Sequence, residues 1–349
     1  MYLGLDIGRH FIKAVTLEKT KDGFKILDAG QRLVPDLNQA YDPDKIERHH
    51  LVMAVKELFR QQNINPKKIK NITTSIGGSS ASVKQITTQE MPAEELESSM
   101  TFEARKHIPM DGTDAVIDYQ IFGNNEREVD KINIGLVACT DRVLTNHIEV
   151  LKDCGIKPGI IDVDPIALAN VFSFTKEVPD DGLVVMLDIG STSSSLVVWG
   201  KTQQFFTRDL PIGGHDFTKE ISSANNISYI EAQDLLLSKG FSAIEPKQDS
   251  EENVVVNERS VYDNLIEDIR RSLRFYAKQT GQSFFLKIFL AGGIASIPGL
   301  QELITSKLNI ECSIFDPFEK LEGTGSITVD NKAQYSTAVG LAIHSGEEV

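Results

Sequence analysis

The tetrapeptide LDIG occurs twice in this chain, at residues 5–8 and 187–190, with its aspartates at Asp6 and Asp188. Apolar, β-prone runs flank each copy, so each reads as the bend of a strand–turn–strand hairpin. Such a bend suits a phosphate group. Gly8 and Gly190 lack a Cβ and let backbone N–H groups approach an anion closely. An aspartate at the strand end can hold a hydrated Mg²⁺ against the same phosphates, which makes Asp6 and Asp188 candidate metal ligands. One corner of this kind is a weak signal, because glycine turns with acidic neighbours are common. Two of them, facing each other across a cleft, would clamp a triphosphate from both sides. The second corner adds a run of hydroxyls, of which Ser191 and Thr192 sit at the bend itself and are best placed to donate to phosphate. A third element, IFLAGGIASIPGL (288–300), runs a hydrophobic strand into Gly292-Gly293, where a flat base or a phosphate can lie against bare backbone. Alone, that turn reads equally well as a tight strand-to-helix connection; beside both LDIG corners it reads as part of a site.

The elements that would position these corners follow from hydrophobic periodicity. Residues 2–8, 11–18 and 24–34 read as a three-stranded antiparallel meander. A helix over 43–62 follows, with Ile46, Val52 or Leu51, Val55, Leu58 and Phe59 on one face, and then NITTSIGG (71–78) as a strand. From residue 181 the order recurs: strands at DGLVVMLDIG, SSSLVVWG and QQFFTRDLPIGG, helices at 215–225 and 228–238, and a strand at 285–293. Ile230, Leu235 and Leu237 are the expected apolar residues of the second of these helices. This is an internal duplication of topology, with residue identity confined to LDIG. Between the halves, 82–156 carries its own pattern. A strand (SVKQITTQEM) leads to a helix opened by Pro92, Glu94 and Glu95, with Leu96, Met100, Ala104 and Ile108 on one face and Pro109 as its stop. Strands AVIDYQIFG and KINIGLVACT follow, then a helix capped near Asp141 that carries Leu144, Ile148 and Leu151. The segment reads as a small α+β unit inserted into the first half. Residues 245–258 and 319–334 read as surface loops.

The chain of 349 residues is long enough for two domains, and its charge of −14 argues against sequence-independent nucleic-acid binding, which needs a basic surface. That balance still leaves room for a local basic pocket. No run approaches the roughly 18–20 apolar residues of a membrane span, and no signal peptide is expected. Cys139, Cys154 and Cys312 are odd in number and lack CxxC spacing, which fits reduced thiols in a cytoplasmic protein. His49 and His50 are helix neighbours facing different directions, better read as a solvated pair than as ligands.

The two corners, the segment IIDVDPIALANVF and the AGG turn together resemble the actin, chaperone and sugar-kinase ATPase superfamily over nearly the whole chain. The resemblance implies an α/β, actin-like (ribonuclease H-like) duplicated two-domain ATPase fold. Its first domain would be discontinuous (1–81, 157–176 and 335–349), interrupted by the insert at 82–156 and followed by a second domain over 177–334. It implies ATP and Mg²⁺ in the interdomain cleft, with Asp6 and Asp188 beside the metal and phosphates and Lys13 reaching the phosphates from the first hairpin. Asp164, in VDP, falls where the superfamily carries a water-orienting acid or amide. Gly213-Gly214 and Gly292-Gly293 would line the second phosphate and base regions, and YSTAVGLAI (335–343) looks like the closing helix between the halves.

The position of the insert narrows the resemblance to the branch of FtsA, a bacterial cell-division protein, and PilM, an actin-like type IV pilus assembly protein. FEARKHIPM, IDYQIF, CGIKPGIIDVDPIALANVF, PIGGHDFTKEI and IRRSLRFYAKQ are similar to the PilM family. FtsA normally continues into a C-terminal membrane-binding amphipathic helix, whereas this sequence ends HSGEEV. The PilM resemblance implies a scaffold at the inner-membrane face that reaches the membrane through partners. The partner expected is the N-terminal cytoplasmic peptide of PilN, in a groove near Ile108, Pro109 and Ile117, along with other inner-membrane pilus assembly proteins. The alternatives are an FtsA-like ATP-dependent polymer, which would self-associate, and an ATPase that drives assembly cycles.

Two positions depart from the superfamily pattern. Arg9-His10 replaces small or hydroxyl residues in the first corner; Arg9 either gives phosphate a charge-assisted bond or narrows the cleft. In helix 228–238 the usual A-E-x-L-K reads Ala232-Gln233-Asp234-Leu235-Leu236. Gln233 still bonds ribose hydroxyls, while the loss of the lysine at Leu236 costs about 1–3 kcal/mol, about ten- to hundredfold in affinity. Both departures favour nucleotide binding and regulation ahead of catalysis.

Overall fold

The computed structural model describes residues 1–34, 41–69, 71–107, 115–125, 128–243 and 260–347. The first meander is β1 (Tyr2–Ile7), β2 (Phe11–Lys19) and β3 (Phe24–Leu33), followed by α1 (Arg48–Gln61) and β4 (Asn71–Ile76). The second is β9 (Leu183–Ile189), β10 (Ser194–Gly200) and β11 (Gln203–Leu210), followed by α5 (Gly214–Asn225), α6 (Tyr229–Lys239), α7 (Val261–Thr280) and β12 (Phe285–Ala291). Each meander joins a five-stranded sheet in the same order: β3-β2-β1-β4-β8, with β8 at Ile160–Val163, and β11-β10-β9-β12-β13, with β13 at Cys312–Ile314. β1 and β9 sit at the centre, pairing antiparallel with β2 and β10 and parallel with β4 and β12. All of β10 and nearly all of β9 are buried, which is why they read as unbroken apolar runs instead of alternating ones.

Two helices lie between the sheets. α4 (Asp164–Thr175) leaves β8, and α9 (Ser336–Glu347) returns after β13. Their apolar residues Leu168, Val171, Phe172, Ala338, Val339, Ala342 and Ile343 share one core with Val15 and Leu17 of the first sheet and Met186, Val197 and Trp199 of the second. The approach is close enough to require glycine. A Cβ at Gly4 would lie 2.0 Å from the Ala338 carbonyl oxygen, and one at Gly340 would lie 1.9 Å from that of Ala167. The expected closing helix is therefore present, and glycines on β1 and α9 let it seat.

The insert is built of β5 (Ala81–Gln89), α2 (Ala93–His107), β6 (Ala115–Asn124) and β7 (Lys131–Thr140), with strands in the order β5-β7-β6. Leu96, Met100 and Ala104 pack on Ile132, Ile134, Leu136 and Ala138 as the helical spacing requires. The following helix, α3 (Asp141–Asp153), behaves differently. Its cap is Thr140, whose hydroxyl accepts from Val143 N–H, and Ile148 is exposed. Val150 and Leu151 instead enter the first half's core with Leu3, Val55 and Leu58. In chain order α3 stands between β4 and β8 as α8 (Leu300–Leu308) stands between β12 and β13. Ile117 packs against the insert's own core, while Ile108, Pro109 and the stretch 245–258 fall outside the described residues.

Candidate functional site

Both LDIG corners open into one cleft of about 1110 Å³ between the two sheets. Ladder register explains what faces it. Asp6 is paired with Lys13 across β1 and β2, and Asp188 with Ser195 across β9 and β10. Lys13 Nζ lies 2.8 Å from Asp6 Oδ2, an ion pair only slightly open to water. Asp164, the first residue of α4, accepts from Ser75 Oγ at 2.5 Å at the end of β4. Asp6, Gly8, Arg9, Lys13, Asp164, Asp188, Gly190, Ser191, Thr192, Gly214, Gln233, Gly292 and Gly293 all line the cleft.

Three expected residues sit differently from their simplest reading. Gly213 supports the second corner from behind: a Cβ there would fall 2.7 Å from the backbone of Ser191, Thr192 and Ser193. The adjoining N-terminus of α5 spends its first N–H groups on that corner, Gly214 on the Gly190 carbonyl at 2.9 Å and His215 on the Ser191 carbonyl at 2.8 Å. Arg9 turns its Nη1 to the carbonyls of Pro43 and Ile46, each at 3.4 Å. What narrows the mouth is His10, whose ring lies 4.5 Å from Tyr41, and Tyr41 in turn donates to Ser191 Oγ at 3.4 Å. Along α6 the buried residues are Ala232 and Leu236, while Ile230 and Leu237 are exposed. Leu236 therefore belongs to the second half's core beside the cleft wall.

Charge is the defining feature of the floor. Asp6 pairs directly with Lys13, and Asp188 and Asp164 act on the same lysine through space. Burial, reinforced by Asp6, pushes the Asp164 carboxyl up to about 7. Asp188 is pushed up to about 6 by burial, against the pull of Lys13. Burial opposes the charge on Lys13, yet Asp6, Asp188 and Asp164 outweigh it and raise its pKa. Three carboxylates and one lysine leave the floor short of positive charge, which a divalent cation would supply. Among the described residues no three carboxylates stand close enough to ligate one directly, so the fit is to a hydrated ion. A sign follows. Cation binding must displace the protons that Asp164 and Asp188 hold below their raised pKa values. Mg²⁺ uptake is thus expected to release protons at pH 6 and to tighten as pH rises to 8, read by calorimetry in two buffers of different ionisation enthalpy. Heat independent of buffer would contradict it.

Ser75, Gly77, Tyr41 and Thr337 escaped the sequence reading. A repeat signal for two of them was present. β4 runs into Gly77-Gly78 as its counterpart β12 runs into Gly292-Gly293, and both pairs line the cleft. Each first glycine makes room for a carboxylate: a Cβ at Gly77 would meet Asp164 Oδ2 at 1.7 Å, and one at Gly292 (φ +89°) would meet Asp188 Oδ1 at 2.3 Å. Likewise Asp164 opens α4, and Thr337, near the start of α9, lines the cleft beside Asp188. Gly77 has extended backbone, so Gly77→Ala is purely steric there. It is expected to eject Asp164 from Ser75, lower nucleotide affinity or turnover about tenfold or more, and leave the fold intact. Equal effects on the melting temperature and on binding would contradict a local displacement.

The family model described as type IV pilus assembly protein PilM matches residues 4–346. The chain belongs to the PilM family. Among solved structures, this PilM-family chain is similar to one titled "PilM-PilN type IV pilus biogenesis complex", with a TM-score of 0.80 and 23% identity over 99% of this chain and 98% of that one. It is also similar to the ethanolamine utilization protein EutJ from Carboxydothermus hydrogenoformans, with a TM-score of 0.55 and 13% identity over 98% and 89% of the two chains. Among curated relatives, cell division protein FtsA of Bacillus subtilis (strain 168) is 22% identical over 98% of this chain and 82% of its own length. FtsA of Staphylococcus epidermidis (strain ATCC 12228 / FDA PCI 1200) is 20% identical over 90% and 74%. The actin-like fold that the family resemblance implies is the fold observed, and the chain is an actin-like protein of type IV pilus assembly. No described helix is long and apolar enough to cross a membrane.

Proposed function

We propose that this PilM-family chain binds ATP with Mg²⁺ between its halves and uses occupancy of the cleft to control a scaffold surface. The observation that carries this reading is one cleft, between two glycine-bearing corners, lined by Asp6, Asp164, Asp188 and the Lys13 that pairs with Asp6. Asp6 and Asp188 would hold the hydrated metal. Lys13 and the Ser191 and Thr192 hydroxyls would take the phosphates, with Gly8, Gly190 and Gly214 leaving room for them. Gln233 and Gly292-Gly293 would face the ribose and base. Tyr41 donates to the Ser191 oxygen, which leaves the Ser191 O–H free to donate to a phosphate.

The partner we propose is the N-terminal cytoplasmic peptide of a PilN-type protein. A PilM–PilN complex exists in the structural relative, and the inserted unit offers half-buried apolar side chains beside strand edges for an extended segment. Contact with other inner-membrane pilus proteins, and location at the membrane face, would follow through that partner. A titration of labelled ATP with and without the peptide tests the proposal. Each ligand should change the other's affinity by one factor, as linkage requires. Independent binding of the two would overturn the switch, and no binding of ATP would overturn the site.

Hydrolysis is a second reading, favoured by the raised pKa of Asp164, near the range that suits a water-orienting base. Turnover abolished in Asp164→Ala with binding retained supports it; no turnover in the unsubstituted protein removes it. Self-association of the FtsA kind would appear as ATP-dependent sedimentation.

A further inference from the structure

The inserted sheet does not stand clear of the second half. Its edge strand β5 runs beside β11, the edge strand of the second sheet, and side chains join the two in place of a backbone ladder. Gln85 makes two of the contacts. Its Oε1 accepts from Phe205 N–H at 2.7 Å, and its backbone carbonyl accepts from the Gln204 side-chain amide at 3.2 Å. Thr207 Oγ1 donates to the Val83 carbonyl at 3.2 Å. Between these contacts, Lys84 Nζ lies 6.0 Å from the centre of the Phe206 ring. Burial lowers the pKa of Lys84, Arg208 lowers it further, and Asp209 opposes both. A seam made of a few side-chain bonds can part without unfolding either sheet, unlike a continuous ladder.

The same strand reaches the cleft. Asp209 of β11 accepts from Ser195 Oγ at 2.7 Å, and Ser195 is the ladder partner of Asp188. Both Ser195 and Asp209 line the cleft. The second jaw and the seam therefore share one rigid pair of strands, β10 and β11, so a shift of the jaw moves the row of groups that Gln85 and Val83 grip.

We propose that the β5–β11 seam couples the cleft to the inserted unit, with Gln85 as the positioning residue that seats one on the other. This rests on the nucleotide reading above, because nucleotide is what biases the jaw. Closure around an occupied cleft and seating of the inserted sheet are then a single event. The two-state element is the seam itself, made or parted, and spatial adjacency alone would not supply coupling.

The test is amide hydrogen exchange on the full chain with and without Mg·ATP, beside calorimetry of the same samples. In the unsubstituted protein, nucleotide should slow exchange in β5 and β7 by about fivefold or more. Gln85→Leu should abolish that response in the insert while the response of β9 and β10 persists. Gln85→Glu, which keeps an acceptor for Phe205 N–H, should restore it. Thr207→Val, which leaves Gln85 untouched, should weaken it, so the inference does not hang on one variant that might merely misfold. An insert indifferent to nucleotide in the unsubstituted protein, or a Gln85→Leu chain that responds fully, would overturn the coupling while calorimetry still reports binding. Absence of binding in calorimetry would instead overturn the nucleotide reading, and the coupling with it.

Discussion

Replacing Lys13 by methionine is expected to cost about 3–5 kcal/mol of folding stability at pH 8, because it leaves partly buried carboxylates without their counter-charge. Methionine keeps most of the aliphatic length, so the loss reports charge more than volume. Asp188 is held down chiefly by Lys13 and Asp164 is already raised, so without the lysine both shift further up. The sign of the pH dependence follows. An aspartate whose folded pKa exceeds its unfolded value binds extra protons in the native state. Its folded state is therefore penalised as pH rises from about 4 through about 7. The stability gap between the unsubstituted protein and Lys13→Met should be small near pH 5 and wide at pH 8, measured by urea unfolding. Millimolar Mg²⁺ should recover part of it at pH 8 by taking the lysine's place. A gap of one size at both pH values, indifferent to Mg²⁺, would mean that the three carboxylates do not act as one cluster.

The second large effect lies away from the charge, at the crossing of α4 and α9. Gly340→Ala adds a single carbon that would stand 1.9 Å from the Ala167 carbonyl oxygen. The obstacle is backbone, so no side chain can swing aside, and the helices must part. Overpacking commonly costs about 1–3 kcal/mol; with backbone on both sides, the upper end or beyond is expected here. The thermal midpoint should fall by about 5–10 °C. These helices share one core with both sheets, so the loss should appear as one transition involving both halves. Gly325→Ala is the control, since nothing lies within 4 Å of a Cβ there. Equal behaviour of the two variants would mean that the close crossing contributes nothing.

What the sequence made legible depends on how local the cause is. The meanders were readable because β-prone apolar runs alternate with tight glycine or aspartate turns. Their strands fall within two residues of the expected ranges except β11, which stops at Leu210, four residues before the expected end at Gly214. The face of α2 was readable because Leu96, Met100 and Ala104 repeat at helical spacing against one sheet. α3 and α6 misled for a shared reason. Each touches more than one neighbour, so its buried stripe is set by the partners, and Val150 and Leu236 are buried where Ile148 and Leu237 are exposed. The LDIG aspartates carried a local signature, whereas Lys13 was implied only by the family resemblance, and the β1–β2 register then places it opposite Asp6. The Ser75–Asp164 bond and the Tyr41–Ser191 contact join residues far apart in the chain, whose meeting no local spacing encodes. The doubled glycines after β4 and β12 were a repeat in plain view, readable only once topology had put those strands in equivalent places.

The central claim is that both corners act together on one metal-bound nucleotide. Calorimetric titration of Mg·ATP into the intact protein, repeated with Asp6→Asn and Asp188→Asn, tests it most directly. One site per chain and a requirement for Mg²⁺ are expected. Each single substitution should lower affinity about tenfold or more, with the double variant well short of the product of the two because both act on one ion. Binding that ignores Mg²⁺, or that survives loss of either aspartate unchanged, would contradict it.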